Sequence, residues 1–306
     1  RQLYRSLTII TLCFSKEAEI RESWAALLNS NFEQVHATHH INNLIRQNAI
    51  PSSKKEQDLL DRIGIKVLDE KLLVMMPQQM DEIYQTPHFN IHYDTGESSG
   101  SVSSNDLNNN SVPDYVENMG LIFEDVYYFF KDSMGYDITF LNSQNVGNNK
   151  YDIFIDNLPT NYFAITYTTS FINQASTSCG SYIKMRNNYN GAAFQNITEL
   201  ENIKITAAHE FFHAIQFSYN CYERFWLMEA TAVWSEDEIY NEINDHYRYM
   251  PSWFQNSAKP IDYESSHMYG SFIFFQYIDE HLGGYQTIKN IWERSRSNAN
   301  SVNAVS

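Results

Sequence analysis

At 306 residues the chain is long enough to bury a full core, as one large domain or two modest ones. Its 21 Lys and Arg stand against 37 Asp and Glu, a formal net charge of −16, and no basic stretch interleaved with aromatics offsets this, which argues against nucleic acid as a partner. No stretch approaches the ~20 apolar residues of a membrane-spanning helix, so no membrane span is expected.

The N-terminus carries Arg1 and Arg5 ahead of an apolar run, Leu7 to Phe14, that is similar to a short signal-peptide core. Residues 1–15 are therefore expected to be a signal-peptide remnant and the protein to be secreted or held in the cell envelope, although the same run would also serve as a buried strand. From Lys16 to about Ile50 the chain is polar and helix-compatible, with Ile20, Trp24, Leu27 and Leu28 at helical spacing. His36, His39 and His40 cluster here, but no carboxylate sits at ligand spacing, so a solvated helix end is the expected setting. Pro51-Ser-Ser-Lys-Lys55 reads as a linker and Glu56 to Asp69 as a short helix. Residues 16–80 are thus expected to form a helical N-terminal cap or a prosegment.

Phe89-Asn-Ile-His-Tyr93 alternates apolar and polar residues and runs into a turn over Asp94 to Gly100. Asp106, Asn108, Asn110, Asp114 and Glu117 then put side-chain oxygens at positions 1, 3, 5, 9 and 12 of an EF-hand-like loop, with the Val112 carbonyl at position 7, a spacing that fits Ca²⁺. Ser111 stands where such loops carry Gly, and the competing reading is a turn into a helix capped by Ser111. Pro113 to Ser133 reads as a long amphipathic helix. Strands are expected at Tyr151 to Ile155, Tyr162 to Tyr167 and Ser181 to Met185. Helices follow at about Thr198 to Tyr219, Phe225 to Asn241 and His267 to Leu282, with a frayed Asn/Ser-rich end from Ser295. Residues 81–306 are expected to form one α+β domain. Cys13, Cys179 and Cys221 include no C-x-x-C pair; Cys179 and Cys221 can pair in an exported protein only if the fold brings their Cα atoms close.

The chemistry concentrates in His209-Glu210-Phe-Phe-His213, inside an apolar helical stretch. Two histidines four apart share one helical face and can hold Zn²⁺, while Glu210 can take a proton from the attacking water. Two histidines and a glutamate in a buried helix are costly unless a metal or hydrogen bonds satisfy them. Glu229 is the preferred third ligand, because Ala230, Thr231 and Ala232 beside it let two helices approach closely. Glu236, one heptad later, is the competing ligand, and Glu236 or Asp237 can instead accept the second ring N–H of a ligating histidine.

His209-Glu-Phe-Phe-His-Ala-Ile-Gln216 followed by Trp226-x-x-Glu229-Ala-Thr-Ala-x-Trp234 resembles a family of mostly exported bacterial metallopeptidase-like proteins of the gluzincin type. The Glu-Ala-Thr-Ala segment is also similar to the Glu-Gly-Thr-Ala element of bacterial collagenases. The likeness runs more weakly through Pro87 to Tyr93, Val112 to Tyr115 and Tyr269 to Phe272, and the first eighty residues have no counterpart in it. It implies a zincin-like fold, zinc on His209, His213 and Glu229, and Glu210 as catalytic base. Gluzincins often supply an oxyanion donor from a Tyr or His on a later helix, for which Tyr269 is the first choice and His267 the second. The expected activity is that of a zinc-dependent endopeptidase acting on a protein or peptide substrate, with the strand Ser181 to Met185 as the cleft edge. The alternatives are a zinc aminopeptidase, or a metal-stabilised binding or adhesion module without catalysis.

Overall fold

Alternation in the predicted strands sends Tyr151, Ile153 and Ile155 to one side and Phe154 to the other. In the computed structural model, which describes residues 16–28, 36–75, 77, 80–139, 149–159, 161–171 and 177–297, these residues lie in a five-stranded mixed sheet of order β3-β4-β5-β7-β6. Its strands are β3 (Glu82–Gln85), β4 (Phe89–Tyr93), β5 (Tyr151–Asp156), β6 (Ala164–Phe171) and β7 (Cys179–Arg186). β4, β5 and β7 run parallel, and β3 and β6 close the two edges antiparallel. The chain is therefore a mixed α+β protein. The predicted apolar run of 1–15, Cys13 and the tail beyond 297 lie outside the described residues.

Each face of the sheet has its own core. α4 (Asp114–Tyr128, extended by a π-helical turn, Phe129–Ser133) and α5 (Glu199–Asn220) cover one face. Phe211 of α5 meets Phe89 at 5.4 Å and Tyr151 at 5.8 Å, so it ties the His209–His213 segment to the strands. Truncating a buried Phe of this kind costs about 3–5 kcal/mol. The other face packs Phe154, Ile165, Tyr167 and Tyr182 against the N-terminal part: α1 (residues 16–27), α2 (Ala37–Gln47), α3 (Lys54–Ile63) and a hairpin of β1 (Ile65–Leu68) and β2 (Lys71–Val74). β1, β2 and β3 are too short for the sequence pattern to announce, and the helix expected over Glu56 to Asp69 stops early. Ser53 and Glu56 form a capping box at its start, and Gly64, at φ 85°, ends it in the left-handed conformation that glycine adopts without strain.

Beyond the sheet, α6 (Phe225–Ile239) packs on α5, Gln216 donating to the Met228 carbonyl and the Thr231 hydroxyl across the contact. A 3₁₀ turn (Asp245–Tyr249), α7 (Met250–Gln255), α8 (His267–Gly270), α9 (Phe272–His281) and α10 (Tyr285–Ser295) follow among the described residues. The helix expected from His267 to Leu282 is thus divided at Ser271. A Cβ on Gly270 would lie 2.6 Å from that of Trp253, so glycine lets α7 and α8 meet. Cys179 and Cys221 form a disulfide, Cα atoms 5.7 Å apart, that joins the start of β7 to the end of α5.

Two expectations are corrected. Pro113, not Ser111, occupies the N-cap of α4, and no side chain caps it. Ser181 to Met185 lies in β7, bonded to β5 on one side and β6 on the other, so it has no free edge; the outermost strand on this side is β6.

Candidate metal centre

Thr198 starts α5 with a capping box to Glu201, and the helix then runs for 22 residues, long enough to carry His209 and His213 deep into the protein. Both rings are buried, and their Nε2 atoms lie 3.0 Å apart. The Nδ1 atoms face acceptors: Glu236 Oε1 at 2.6 Å from His209, and Gln216 Oε1 at 2.8 Å from His213. Gln216 uses its NH₂ group on α6, which leaves its oxygen for the ring. With protons at Nδ1, the two Nε2 atoms turn lone pairs towards each other.

Glu229 meets this pair from α6, with Oε2 3.2 Å from His209 Nε2 and Oε1 3.3 Å from His213 Nε2. Its Oε2 is buried without a well-aligned hydrogen bond. For bonds of about 2.0–2.1 Å, tetrahedral ligand atoms are about 3.3 Å apart, so the spacing of these donors suits one zinc ion among them. Glu229 and Glu236 therefore sit at opposite ends of the His209 ring, and Glu236 has the position of a group that orients the imidazole. Asp237 lies elsewhere, 3.6 Å from His246. Burial alone would raise the Glu229 carboxyl, but His213, His39 and His209 hold it well below the usual range. Burial alone would lower His209, yet the hydrogen bonds and charges of Glu229 and Glu236 push it up to about 10.

Glu210 follows His209 and turns its carboxylate to the edge of β6. Its Oε2 accepts from the Thr166 hydroxyl at 2.6 Å and the Thr38 hydroxyl at 2.8 Å. Tyr269 is within the site, its hydroxyl 3.2 Å from His39 Nδ1 and its ring 4.9 Å from that of His36. His267 is instead stacked on Trp253 at 5.5 Å, and both its ring nitrogens are buried without a partner among the described residues.

Arg248 and Tyr249 carry no sequence signal, and His36 and His39 stand out only as a cluster with a different expected setting. Arg248 donates to the Tyr249 hydroxyl at 2.6 Å, and this hydroxyl lies 2.5 Å from His36 Nε2. His39 Nδ1 is 3.1 Å from Glu229 Oε1. The expected solvated setting of the N-terminal histidines is thus corrected: His36 and His39 are buried against α5 and α6, and burial also lowers His40 well below its ordinary value. Their partners lie far away in sequence, beyond the reach of any local pattern. His36, His209 and Glu229 each bring a ligand atom within 4.8 Å of the other two.

In the loop from Asp106 to Glu117, residues 107–111 are exposed, and Asp106, Asp114 and Glu117 are half-buried. Asp106 accepts the Asn110 and Ser111 N–H groups, Asn108 and Asn110 reach the two Glu117 oxygens at 2.9 and 2.6 Å, and Asp114 accepts from Leu107 N–H. Ser111 adopts φ 74°, the left-handed conformation that glycine usually supplies at the sixth position of such loops.

A mixed α+β fold carrying a buried His-His-Glu group is as far as structure alone classifies the chain. It belongs to a family of unknown function, DUF6055, whose model matches residues 54–306. No curated protein and no solved structure matches it.

Proposed function

We propose that the protein is a zinc-dependent endopeptidase of gluzincin type with a zincin-like fold. The observation that carries the reading is the meeting of two imidazole Nε2 atoms, 3.0 Å apart, with both oxygens of Glu229 at 3.2 and 3.3 Å, while the outer ring nitrogens are taken by Glu236 and Gln216. His209, His213 and Glu229 would hold the ion. Zinc bound there supplies Lewis acidity towards a peptide carbonyl and lowers the pKa of water.

The remaining work falls to side chains. Glu210 orients the attacking water, takes its proton as oxygen adds to the carbonyl carbon, and returns that proton to the leaving amine when the C–N bond breaks. The Thr166 hydroxyl, bonded to Glu210 Oε2, fixes the carboxylate. Tyr249 and Tyr269, stacked with centroids 5.3 Å apart, are the donors available to the developing oxyanion. An extended substrate would add to the outer edge of β6, beside Glu210.

A structural Ca²⁺ in the loop of Asp106, Asn108, Asn110, Val112, Asp114 and Glu117 belongs to the same reading, supported by the left-handed Ser111; chelation by EGTA is expected to lower the melting temperature, and no shift would remove the ion from it. The Cys179–Cys221 disulfide supports an extracytoplasmic protein.

Metal analysis and hydrolysis of a quenched fluorescent peptide test the main proposal. One zinc per chain is expected, lost in His213→Ala; because His209, Glu210, His213 and Glu229 are almost fully buried, hydrolysis is read after limited proteolysis between α2 and α3, and Glu210→Gln is expected to lower it about 10²–10⁴-fold. A zinc-loaded chain whose hydrolysis is indifferent to Glu210→Gln would defeat the enzyme reading.

A further inference from the structure

We infer that His36 and α2 form an intramolecular plug that fills the substrate cleft and keeps the centre latent, an inference that rests on the peptidase reading. The first reason is what α2 does to the edge of β6. Thr38 Oγ1 accepts the Thr166 N–H at 2.9 Å, and Asn42 donates to the Thr166 carbonyl at 3.1 Å and faces Thr168 from its oxygen, with the Thr168 hydroxyl at 2.8 Å. These N–H and C=O groups are the ones an added substrate strand would have to use. Side chains of α2 thus occupy the main-chain sites of a peptide.

The second reason is that the same segment engages the reacting groups. Thr38 donates to Glu210 Oε2 at 2.8 Å, and His39 Nδ1 lies 3.1 Å from Glu229 Oε1 and 3.2 Å from the Tyr269 hydroxyl. The base, a proposed metal ligand and an oxyanion donor are each held by a residue of one helix. His36 stacks its ring 4.5 Å from that of His209, close enough to His209 and Glu229 to bring an imidazole to the metal position. A fourth protein ligand turns an open zinc site into a closed one.

The third reason is space. The void beside His36, Phe163, His209, Glu210 and Arg248 measures about 10 Å³, the lower limit for a single water. His209, Glu210, His213 and Glu229 are each no more than 2% exposed, so no peptide reaches them while α2 is in place. The helix is fixed by the burial of Ala37, Ile41 and Leu44 and, at its other end, by Arg46 on the Cys221 carbonyl and over the Phe225 ring. It is also separable in sequence: α2 precedes the family match at residue 54, whereas α3 and the β1–β2 hairpin fall inside it. Displacement or cleavage between α2 and α3, where Ile50 and Ser52 are exposed, would open the cleft and leave the rest of the covering layer in place.

The test is the full chain with a recognition sequence for a specific protease inserted between Pro51 and Ser52, loaded with zinc and compared before and after cutting. Two readouts are taken: peptide hydrolysis per bound zinc, and the rate at which a chelator removes the zinc. Cutting in the background of Thr38→Ala and Asn42→Ala, which weakens retention of the cut segment, is expected to raise both at least tenfold. A synthetic peptide of residues 36–47 should reverse the gain. Zinc bound, with both rates unchanged by cutting and by the two substitutions, would overturn the plug alone. Faster zinc loss without any hydrolysis would leave the plug standing and sink the peptidase reading, whereas a chain that binds no zinc would sink both.

Discussion

Along α6, Glu229 and Glu236 face the histidines of α5, whereas Glu238 faces Asp279 of α9, and Glu229 and Glu238 are shifted in opposite directions. Burial raises the carboxyl in every case. At Glu229 the surrounding imidazoles overcome it and hold the group well below its ordinary value. At Glu236 a single bonded imidazole does not, and burial leaves the carboxyl raised. At Glu238 burial is joined by the hydrogen bond and negative charge of Asp279, and the group rises to about 8. A carboxylate becomes a candidate ligand through its neighbours rather than its depth.

The same Glu-to-Gln change at each position separates the two contacts. Glu229→Gln removes a proposed ligand, and zinc affinity, measured by competition with a chelator, should fall well beyond the roughly 10–100-fold typical of a supporting residue. A larger loss in Glu236→Gln than in Glu229→Gln would exchange their roles.

The tyrosines sharpen the catalytic side of the contrast. Arg248 donates to Tyr249, which makes its O–H a better donor, so Tyr249→Phe should lower kcat about 10²–10³-fold, with KM little changed, and more than Tyr269→Phe does. A larger effect at Tyr269 would return the role to the residue that the sequence favours. Next in size, Glu236→Gln should weaken zinc binding about 10–100-fold while leaving the metal count at one, because the amide still accepts from His209 Nδ1.

How much of this was legible depends on where the partners lie. His209, Glu210 and His213 announce themselves because a four-residue spacing inside an apolar helix is a local pattern. Glu229 and Glu236 are seven residues apart on nearly one face, so the sequence names both and only the three-dimensional contact distinguishes the Nε2 end of His209 from its Nδ1 end. Thr38 and His39 reach Glu210 and Glu229 across 172 and 190 positions, and their helix reads as an ordinary polar one. Arg248 and Tyr249 lie in a 3₁₀ turn, which has no apolar periodicity to flag it. The strands of the sheet were visible in outline, but edge and interior strands are told apart by pairing order. That order moved the expected substrate edge from β7 to β6.

The smallest expected effect tests the non-metal side of α6. Unfolded, Glu238 titrates near its ordinary value of 4.5; folded, it titrates at about 8 beside Asp279. Its protonated form is favoured by the fold, so its contribution to stability is fully present below pH 4.5 and is lost as pH rises towards 8. Glu238→Gln stays neutral and keeps a donor for Asp279, so it escapes that loss. The melting temperature of the variant should match wild type near pH 4.5 and exceed it by about 2–5 °C at pH 8, the shift expected of ~1–2 kcal/mol in a protein of this size once the full linkage value is discounted for the solvent that screens this half-buried pair. A difference that is constant with pH, or that shrinks as pH rises, would mean that Glu238 is ionised in the fold and that its contact with Asp279 does not differ in kind from the one that Glu229 makes with the histidines.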